Sequence, residues 1–273
     1  NAEQGELFMA DFHVLNPAAE FSTLPAVRKI DFSNLTDSLR QGWNDFCAWP
    51  THAIFLCLIY PIVGAVLGGM ALGYKVLPLL FPLAAGFALL GPIAALMMYE
   101  LSRRREAGEA PSFAAAMSVL RSPSFPAIVA IGLLLMGLFL LWIGIARQLY
   151  QSLFGVYAAP DAIGPFIRQV FTTEAGWKLM LYGNAIGFVF AAAAFCLTAI
   201  SFPMLLDRDV GAAQAIMTSL RAVAANPVTM ATWGLIVAAL LMLGSIPAFI
   251  GLAVVMPVLG HATWHLYRKL VAR

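Results

Sequence analysis

The chain alternates long apolar runs with short polar segments. Long stretches, among them 76–99, 126–146, 179–206 and 227–260, contain no aspartate, glutamate, lysine or arginine. Each is long enough to cross a hydrocarbon core of about 30 Å, which takes about 20 helical residues. Because lipid offers the backbone no hydrogen-bond partners, unbroken apolar runs of this length indicate helices rather than strands of alternating polarity. The pattern therefore predicts an all-α integral membrane protein.

The spacing of the polar and proline breaks predicts six transmembrane helices. The last apolar run is too long for one crossing and is divided at the segment 244–247, which contains Gly244 and Pro247. Residues 1–37 lack repeated apolar spacing and predict an extended cytoplasmic N-terminal arm, which leaves 38–273 as the membrane domain. The predicted spans are 52–74, 76–99, 125–147, 177–203, 227–245 and 247–267.

The composition supports the assignment to integral membrane proteins and argues against nucleic acid as a partner. Hydrophobic residues make up 61% of the 273 residues, charged residues make up 11%, and the mean hydropathy is +0.84. A soluble domain carries about 25% charged residues. The net charge of +2 is too small to indicate nucleic acid as a partner. The three cysteines fall in or beside apolar stretches without metal-ligand spacing, so we interpret them as reduced packing residues.

The positive charges are distributed unevenly between the two predicted faces. Of the 16 lysines and arginines, three precede the first span, four follow the second, two follow the fourth and three end the chain. All twelve lie on the side of both termini. The positive-inside rule then places both termini in the cytoplasm.

Three segments share one plan, in which a short amphipathic stretch and a proline precede a pair of spans. Proline stops a helix where the chain turns into the bilayer, and an amphipathic helix can lie in the headgroup plane. We therefore predict three helical hairpins, each led by an interfacial helix, as an internal repeat. The three leading segments are 38–50, 112–126 and 211–227.

Two histidines provide the strongest candidate chemistry. His261 and His265 are four residues apart and share one helix face near the cytoplasmic end of the sixth span. We expect a polar network at this edge, in which carboxylates pair with arginines and the histidines bond to neighbouring carbonyls. The predicted network comprises Glu100, Arg103, Asp207, Arg208, His261, His265 and Arg268.

Two alternatives for the histidines stay open. Neutral imidazoles at this spacing can hold a transition metal, with Glu100, Asp207 or His52 as further ligands, or His52 can serve as a facing ligand for haem. The same groups can also form a proton relay. The first expectation is no cofactor and no resident metal.

Small residues in two spans predict close helix packing. Gly64 and Gly68 lie on the first span, and Gly183 and Gly187 flank Asn184 on the fourth. Small residues let helix backbones approach closely, and an amide at this depth can hydrogen-bond across the contact. We interpret all five as helix-packing residues.

The span ends carry distinctive segments, namely AGFALLGP at 85–92, YELSR at 99–103, PMLLDRD at 203–209 and GHATWHLYR at 260–268, with Gly42, Trp43 and Pro50. These segments resemble a bacterial family of integral membrane proteins, the domain of unknown function 2189 family. The resemblance implies an inner-membrane location, and some members of that family carry the label of a cytochrome c oxidase component.

These features favour association over catalysis. The sequence contains no hydrolytic triad, phosphate-binding glycine loop or carboxylate pair at the membrane centre, so an enzyme is the least supported class. We predict a non-catalytic accessory or assembly subunit of an inner-membrane energy-transducing complex, respiratory or photosynthetic, with lipid and other membrane subunits as partners. A small-solute transporter or channel is the first alternative, and a metal or haem protein using His261 and His265 is the second.

Overall fold

The computed structural model describes residues 24–49, 77–79, 82–83, 91, 95–110, 112–155, 163–247 and 249–272. These residues are predominantly helical. Short 3-10 turns lie at Leu77–Leu79 and Ser118–Arg121. The α-helices are α1 Phe32–Ala48, α2 Leu96–Glu106, α3 Phe113–Met117, α4 Phe125–Phe154, α5 Ile163–Thr172, α6 Glu174–Thr198, α7 Ser201–Asp207, α8 Ala212–Ala225, α9 Pro227–Ser245 and α10 Leu252–Leu270.

Three helical segments of the described chain are long and apolar enough to cross a membrane. They are Phe125–Phe154, Glu174–Asp207 and Pro227–Ser245, and they cover the predicted third, fourth and fifth spans. The fifth was predicted with the same bounds, 227–245. The predicted first span lies outside the described residues, and only parts of the second lie within them. The six-span count therefore stays a prediction.

The predicted sixth span is the element that differs most. The prediction began at 247, but α10 begins at Leu252 after a turn in which Phe249 has a φ of 65°. The tight turn between α9 and α10 brings Gly251 so close to Gly244 that a Cβ on Gly251 would lie 2.8 Å from the Gly244 carbonyl oxygen. The helix is not among the three apolar segments. Its C-terminal half carries two histidines, Arg268 and Lys269.

The chain divides into two compact units. One comprises 1–58, 92–133 and 196–273, and the other comprises 59–91 and 134–195. In the second, the Trp142 indole donates to the Pro82 carbonyl at 3.0 Å and its ring lies 5.7 Å from that of Phe190. In the first, α10 is the central element and packs against α1, α2, α9 and α7.

Helix α1 packs on α10 along a face of small and polar side chains. Its N-terminus is fixed by a capping box, in which the Asp31 carboxylate accepts from the Asn34 amide and the Asn34 side chain accepts from the Asp31 amide. Leu35, Ser38, Gly42, Asp45 and Phe46 are buried. The leading segment was predicted to lie on the membrane surface, and helices do cover all three leading segments. The buried face of α1, however, contacts protein.

Helix α1 begins inside the segment that was predicted as an extended arm. The prediction carried the arm to residue 37, but the capping box at Asp31 starts α1 at Phe32. Residues 24–30, the N-terminal strap, lie in no helix, and Val27 forms an antiparallel bridge with Val271. The side chain of Asn226 accepts from the Ile30 amide at 2.9 Å and donates to the Arg28 carbonyl at 3.0 Å. The strap is therefore tied to both the end of α10 and the start of α9.

Candidate functional site

The carboxylate of Asp45 forms the centre of a polar cluster that connects three helices of the first unit. Helix α1 presents it to α2 and α10. Its Oδ2 accepts from the Ser102 hydroxyl at 2.5 Å and from His265 Nε2 at 2.9 Å. Its Oδ1 accepts from the Arg105 guanidinium at 2.5 Å. We call Asp45, Ser102, Arg105, His261 and His265 the Asp45 cluster.

The charge state of Asp45 sets the direction of the neighbouring hydrogen bonds. Burial alone would raise the pKa of Asp45, but hydrogen bonds from His265 and Ser102 and the nearby imidazoles outweigh it and hold the pKa below its usual value. An ionised carboxylate only accepts, so the Ser102 hydroxyl donates to Asp45. The Ser102 oxygen, 2.8 Å from His261 Nδ1, then accepts from that nitrogen. Ser102 thus bridges α1 and α10.

The two histidines differ in their surroundings. The His261 side chain is 4% exposed and lies 3.9 Å from Asp45 Oδ2, whereas the His265 side chain is 16% exposed and bonds to Asp45 directly. His261 bonds to the Met98 backbone, as expected for a neighbouring carbonyl, whereas the bond observed for His265 is to a carboxylate. A carboxylate 220 residues earlier in the chain supplies the acceptor for His265.

Glu100 forms a second cluster on α2 and the turn that follows α3. Arg103 donates to both of its oxygens at 2.7 and 2.8 Å, and Arg104 donates at 2.6 Å. The Ser118 hydroxyl lies 3.3 Å away. Burial alone would raise the pKa of Glu100, but the two guanidinium groups lower it. The predicted pairing of Glu100 with Arg103 is observed.

Asp207 forms a third cluster at the end of α7. It accepts from the Tyr267 hydroxyl at 2.6 Å and from Arg268 at 3.0 Å, as predicted for the arginine. Arg268 also donates to Glu106 at 3.0 Å. Arg208 lies 3.8 Å from Asp207, and its principal bond is to the Ala272 carbonyl. Arg208 therefore pairs with Asp207, as predicted, and also binds the C-terminal residues.

A cavity of about 380 Å³ opens beside the Asp45 cluster. Its size falls in the range of small-molecule sites, although its lining is far more polar than the usual apolar pocket. A water-sized space of about 10 Å³, lined in part by Trp49 and His261, lies next to the same carboxylate. The cavity is lined by Gln41, Asp45, Ser102, Arg105, Glu106, His265, Arg268 and Lys269.

The geometry of the histidines bears on the metal alternative. Both imidazoles face the same carboxylate oxygen, so their nearest nitrogens are engaged in hydrogen bonds. Within the described ranges, no three His, Cys, Asp or Glu side chains are grouped as ligands of one ion would be. His52, the further ligand considered from the sequence, lies outside those ranges.

The predicted packing residues of the fourth span divide between two faces of α6. A Cβ on Gly187 would lie 3.1 Å from the Trp142 ring, and one on Gly183 would lie 3.8 Å from Leu149, so both glycines face α4. Asn184 was expected on the same face, but it is exposed and donates to the Met180 carbonyl of its own helix at 2.7 Å. Gly64 and Gly68 lie outside the described residues.

Asp45 is the principal residue that the sequence analysis missed. A usable signal is present, because Ser38, Gly42 and Asp45 recur at intervals of four and three and so share one helix face. A small and polar face of this kind is unsuited to lipid and indicates contact with another polar helix face. The other participants missed were Ser102, Arg105, Glu106 and Tyr267.

Comparison with known proteins confirms the family resemblance. Residues 79–207 match the family described as "Predicted integral membrane protein (DUF2189)". The matched range includes Glu100, Ser102, Arg105 and Asp207, whereas Asp45 and both histidines of the cluster lie outside it. No curated protein and no solved structure matches the chain.

Proposed function

We propose that this chain, a membrane protein with a DUF2189 match over residues 79–207, is a non-catalytic accessory or assembly subunit of an energy-transducing complex. The complex would lie in a bacterial inner membrane, with this subunit crossing six times and both termini in the cytoplasm. The proposal rests on how polar and apolar groups are divided over the described residues.

The main support for this proposal is that the charged groups of the clusters around Asp45, Glu100 and Asp207 bond to one another. The carboxylates of Asp45, Glu100 and Asp207 each accept from at least one arginine of the same unit. Catalytic and transport sites keep polar groups available for a substrate, whereas these groups connect helices. A network of this kind favours a structural role, in which α1, α2, α7 and α10 are held in one arrangement.

The three membrane-compatible helices present large apolar side chains outward. Such surfaces suit lipid and the apolar faces of other membrane subunits. The most exposed on each helix are Leu133, Leu140 and Leu141 on α4, Leu181, Phe188 and Val189 on α6, and Val228, Leu235 and Met242 on α9. Each of these helices therefore offers an apolar surface for lateral association, and the polar network holds the helices of the first unit together.

Affinity purification from native membranes tests the proposal. A tag placed before Asn1 avoids the C-terminal residues, which pair with the strap. Mild solubilisation followed by quantitative mass spectrometry is expected to recover the subunits of one energy-transducing complex in a fixed ratio with this chain. Recovery of the chain without such subunits would exclude the proposal.

Two variants make the test specific to the network. Asp45→Asn is expected to reduce co-purification while leaving the amount of inserted protein unchanged, because it loosens α1 from α2 and α10. Lys178→Gln is the matched control. It removes one charge from an exposed ion pair with Glu174, in which the charged atoms are 2.6 Å apart, and it is expected to leave co-purification unchanged. Equal recovery from both variants would show that the network does not support association.

The cavity favours a second candidate function, a small-solute transporter or channel. Three cationic and two anionic side chains line it, together with His265, which suits a charged or zwitterionic solute. Flux of labelled amino acids and organic anions into vesicles containing the purified protein tests this candidate. Flux no faster than in protein-free vesicles would remove it.

A further inference from the structure

Five residues along one face of α6 have the spacing of residues at a coiled-coil contact, and we call this face the α6 seam. Trp177, Leu181, Asn184, Phe188 and Ala191 follow each other at alternating intervals of four and three residues. All five are exposed, with Trp177 at 60%, Leu181 at 68% and Phe188 at 70%. Alternating intervals of this kind place side chains along the line where two helices meet at a small left-handed crossing angle.

The seam is separate from the face that α6 uses inside its own unit. Gly183 and Gly187 face Leu149 and Trp142 of α4. In a helix of 3.6 residues per turn, these glycines lie to one side of Asn184 and Phe188. Within the described residues, helix α6 therefore has one face packed against α4 and a neighbouring face on which no helix lies.

Asn184 is the polar residue of the seam, and it lies far from both ends of α6. It follows Glu174 by ten residues and precedes Thr198 by fourteen, which places it about 15 Å and about 21 Å from the two helix ends. That is the depth of the hydrocarbon core if α6 crosses the membrane. One amide N–H bonds to the Met180 carbonyl. Within the described part of the chain, no other hydrogen bond to this side chain is formed.

An amide that faces hydrocarbon destabilises the protein as long as its remaining donor and acceptor have no hydrogen-bond partners. Asn184 retains one N–H and a carbonyl oxygen with free lone pairs. These two groups are complementary to each other, so a second Asn184 related by a two-fold axis satisfies both at once. A single asparagine in a heptad seam also fixes helix register and the number of chains.

We propose that two copies of this chain form a homodimer through the α6 seam, with each Asn184 amide donating to the other's carbonyl oxygen. The arrangement is isologous, since the same patch is used by both copies. Large apolar residues above and below Asn184 close the contact, and Ala191 permits close approach toward one end. The dimer is independent of the proposed accessory role and concerns a different unit of the chain.

Cysteine cross-linking in vesicles maps the contact. The full chain, with its three native cysteines replaced by serine or alanine and its circular dichroism unchanged, is placed in phosphatidylethanolamine–phosphatidylglycerol vesicles. Leu181→Cys and Phe188→Cys, which both keep Asn184, are expected to form oxidised dimers. Val189→Cys, 64% exposed but about 100° around the helix from Phe188, serves as the matched control and is expected to stay monomeric. Cross-linking at Val189 equal to that at the seam would overturn the proposed face.

Dimerisation measured by energy transfer between labelled copies tests the amide itself. Asn184→Leu is expected to weaken the dimer by about 3- to 20-fold for each hydrogen bond lost. Asn184→Gln, which keeps the same donor and acceptor, is expected to retain most of it. A dimer unchanged in Asn184→Leu, or a wild-type chain that is monomeric at every protein-to-lipid ratio, would overturn the proposal.

Discussion

Replacing Gly42 with alanine tests whether α1 is held by direct backbone contact with α10. A Cβ on Gly42 would lie 2.6 Å from the Ala262 nitrogen, 2.7 Å from its Cβ and 2.8 Å from its Cα. Non-bonded carbon atoms are most stable at about 3.5–4.0 Å. Because two of the opposing atoms are backbone, no rotamer change relieves the contact. The helices must therefore separate by about 1 Å.

This separation also affects Asp45, which lies about one turn further along the same face of α1. Its bonds to Ser102 and His265, now 2.5 and 2.9 Å, would reach or exceed the limit for a hydrogen bond. Overpacking costs about 1–3 kcal/mol, and each weakened bond costs about 0.5–1.5 kcal/mol. Alanine returns about 1 kcal/mol through its higher helix propensity. We expect a net destabilisation of about 1–5 kcal/mol from these terms.

Thermal unfolding in detergent, combined with hydrogen exchange over Phe32–Ala48, measures the effect. Gly42→Ala is expected to lower the Tm and to speed exchange in α1. Gly144→Ala is the matched control, because Gly144 lies inside α4 and an added Cβ there would meet no neighbouring atom within 4 Å, so the substitution should be neutral or stabilising. A Gly42→Ala protein with the Tm and exchange of the wild type would refute the close contact.

Three further substitutions test the polar network and the strap. Asp45→Asn leaves Arg105 without its carboxylate partner and is expected to cost about 1–3 kcal/mol in chemical unfolding, so an unchanged unfolding midpoint would contradict the cluster. For Glu100, whose pKa is lower in the folded chain than the ordinary 4.5, stabilisation is full above that value and lost as the pH falls toward the folded pKa. The Tm difference between wild type and Glu100→Gln should therefore be constant from about pH 8 to 5 and shrink below about pH 4.5, and a difference that persists undiminished to pH 3 would contradict this. Asn226→Ala removes the acceptor of the Ile30 amide, so exchange at Ile30 should accelerate while α4 is unaffected, and unchanged protection there would show that the strap is held by other bonds.

The apolar helices were predictable because their signals are local. Helix α9 has its predicted bounds, since Asn226-Pro227 supplies a start signal and Gly244-Ser245 a stop. Helix α4 continues seven residues past its predicted end at 147. The prediction stopped where Arg147 and Gln148 break the apolar run, but backbone hydrogen bonding does not depend on side-chain polarity. Arg147 is exposed, so the helix can continue beyond the apolar segment.

Polar contacts were likewise predictable where the two partners are close in sequence, and not where they are far apart. Glu100 pairs with an arginine three residues away, a spacing visible in the sequence. His265 pairs with Asp45 across 220 residues, and only the tertiary packing of α1 on α10 brings them together. The identity of His261 and His265 as site residues was predictable from their spacing. Their partners were not, because α1 was expected to contact lipid headgroups instead of α10.

Hydrogen bonds and close backbone contacts specify how helices pack in a membrane protein better than apolar contacts do. Between helices surrounded by hydrocarbon, apolar side chains gain little from association, because lipid tails are equally apolar. Hydrogen bonds and close backbone contacts are directional and give one arrangement an advantage over others. In the first unit both occur on the same face of α1, where Gly42 meets Ala262 and Asp45 meets Ser102 and His265. A buried ion pair adds little net stability compared with apolar residues of similar size. The Asp45 cluster therefore acts mainly to specify how α1, α2 and α10 meet, and its loss should alter that arrangement before it affects insertion into the membrane.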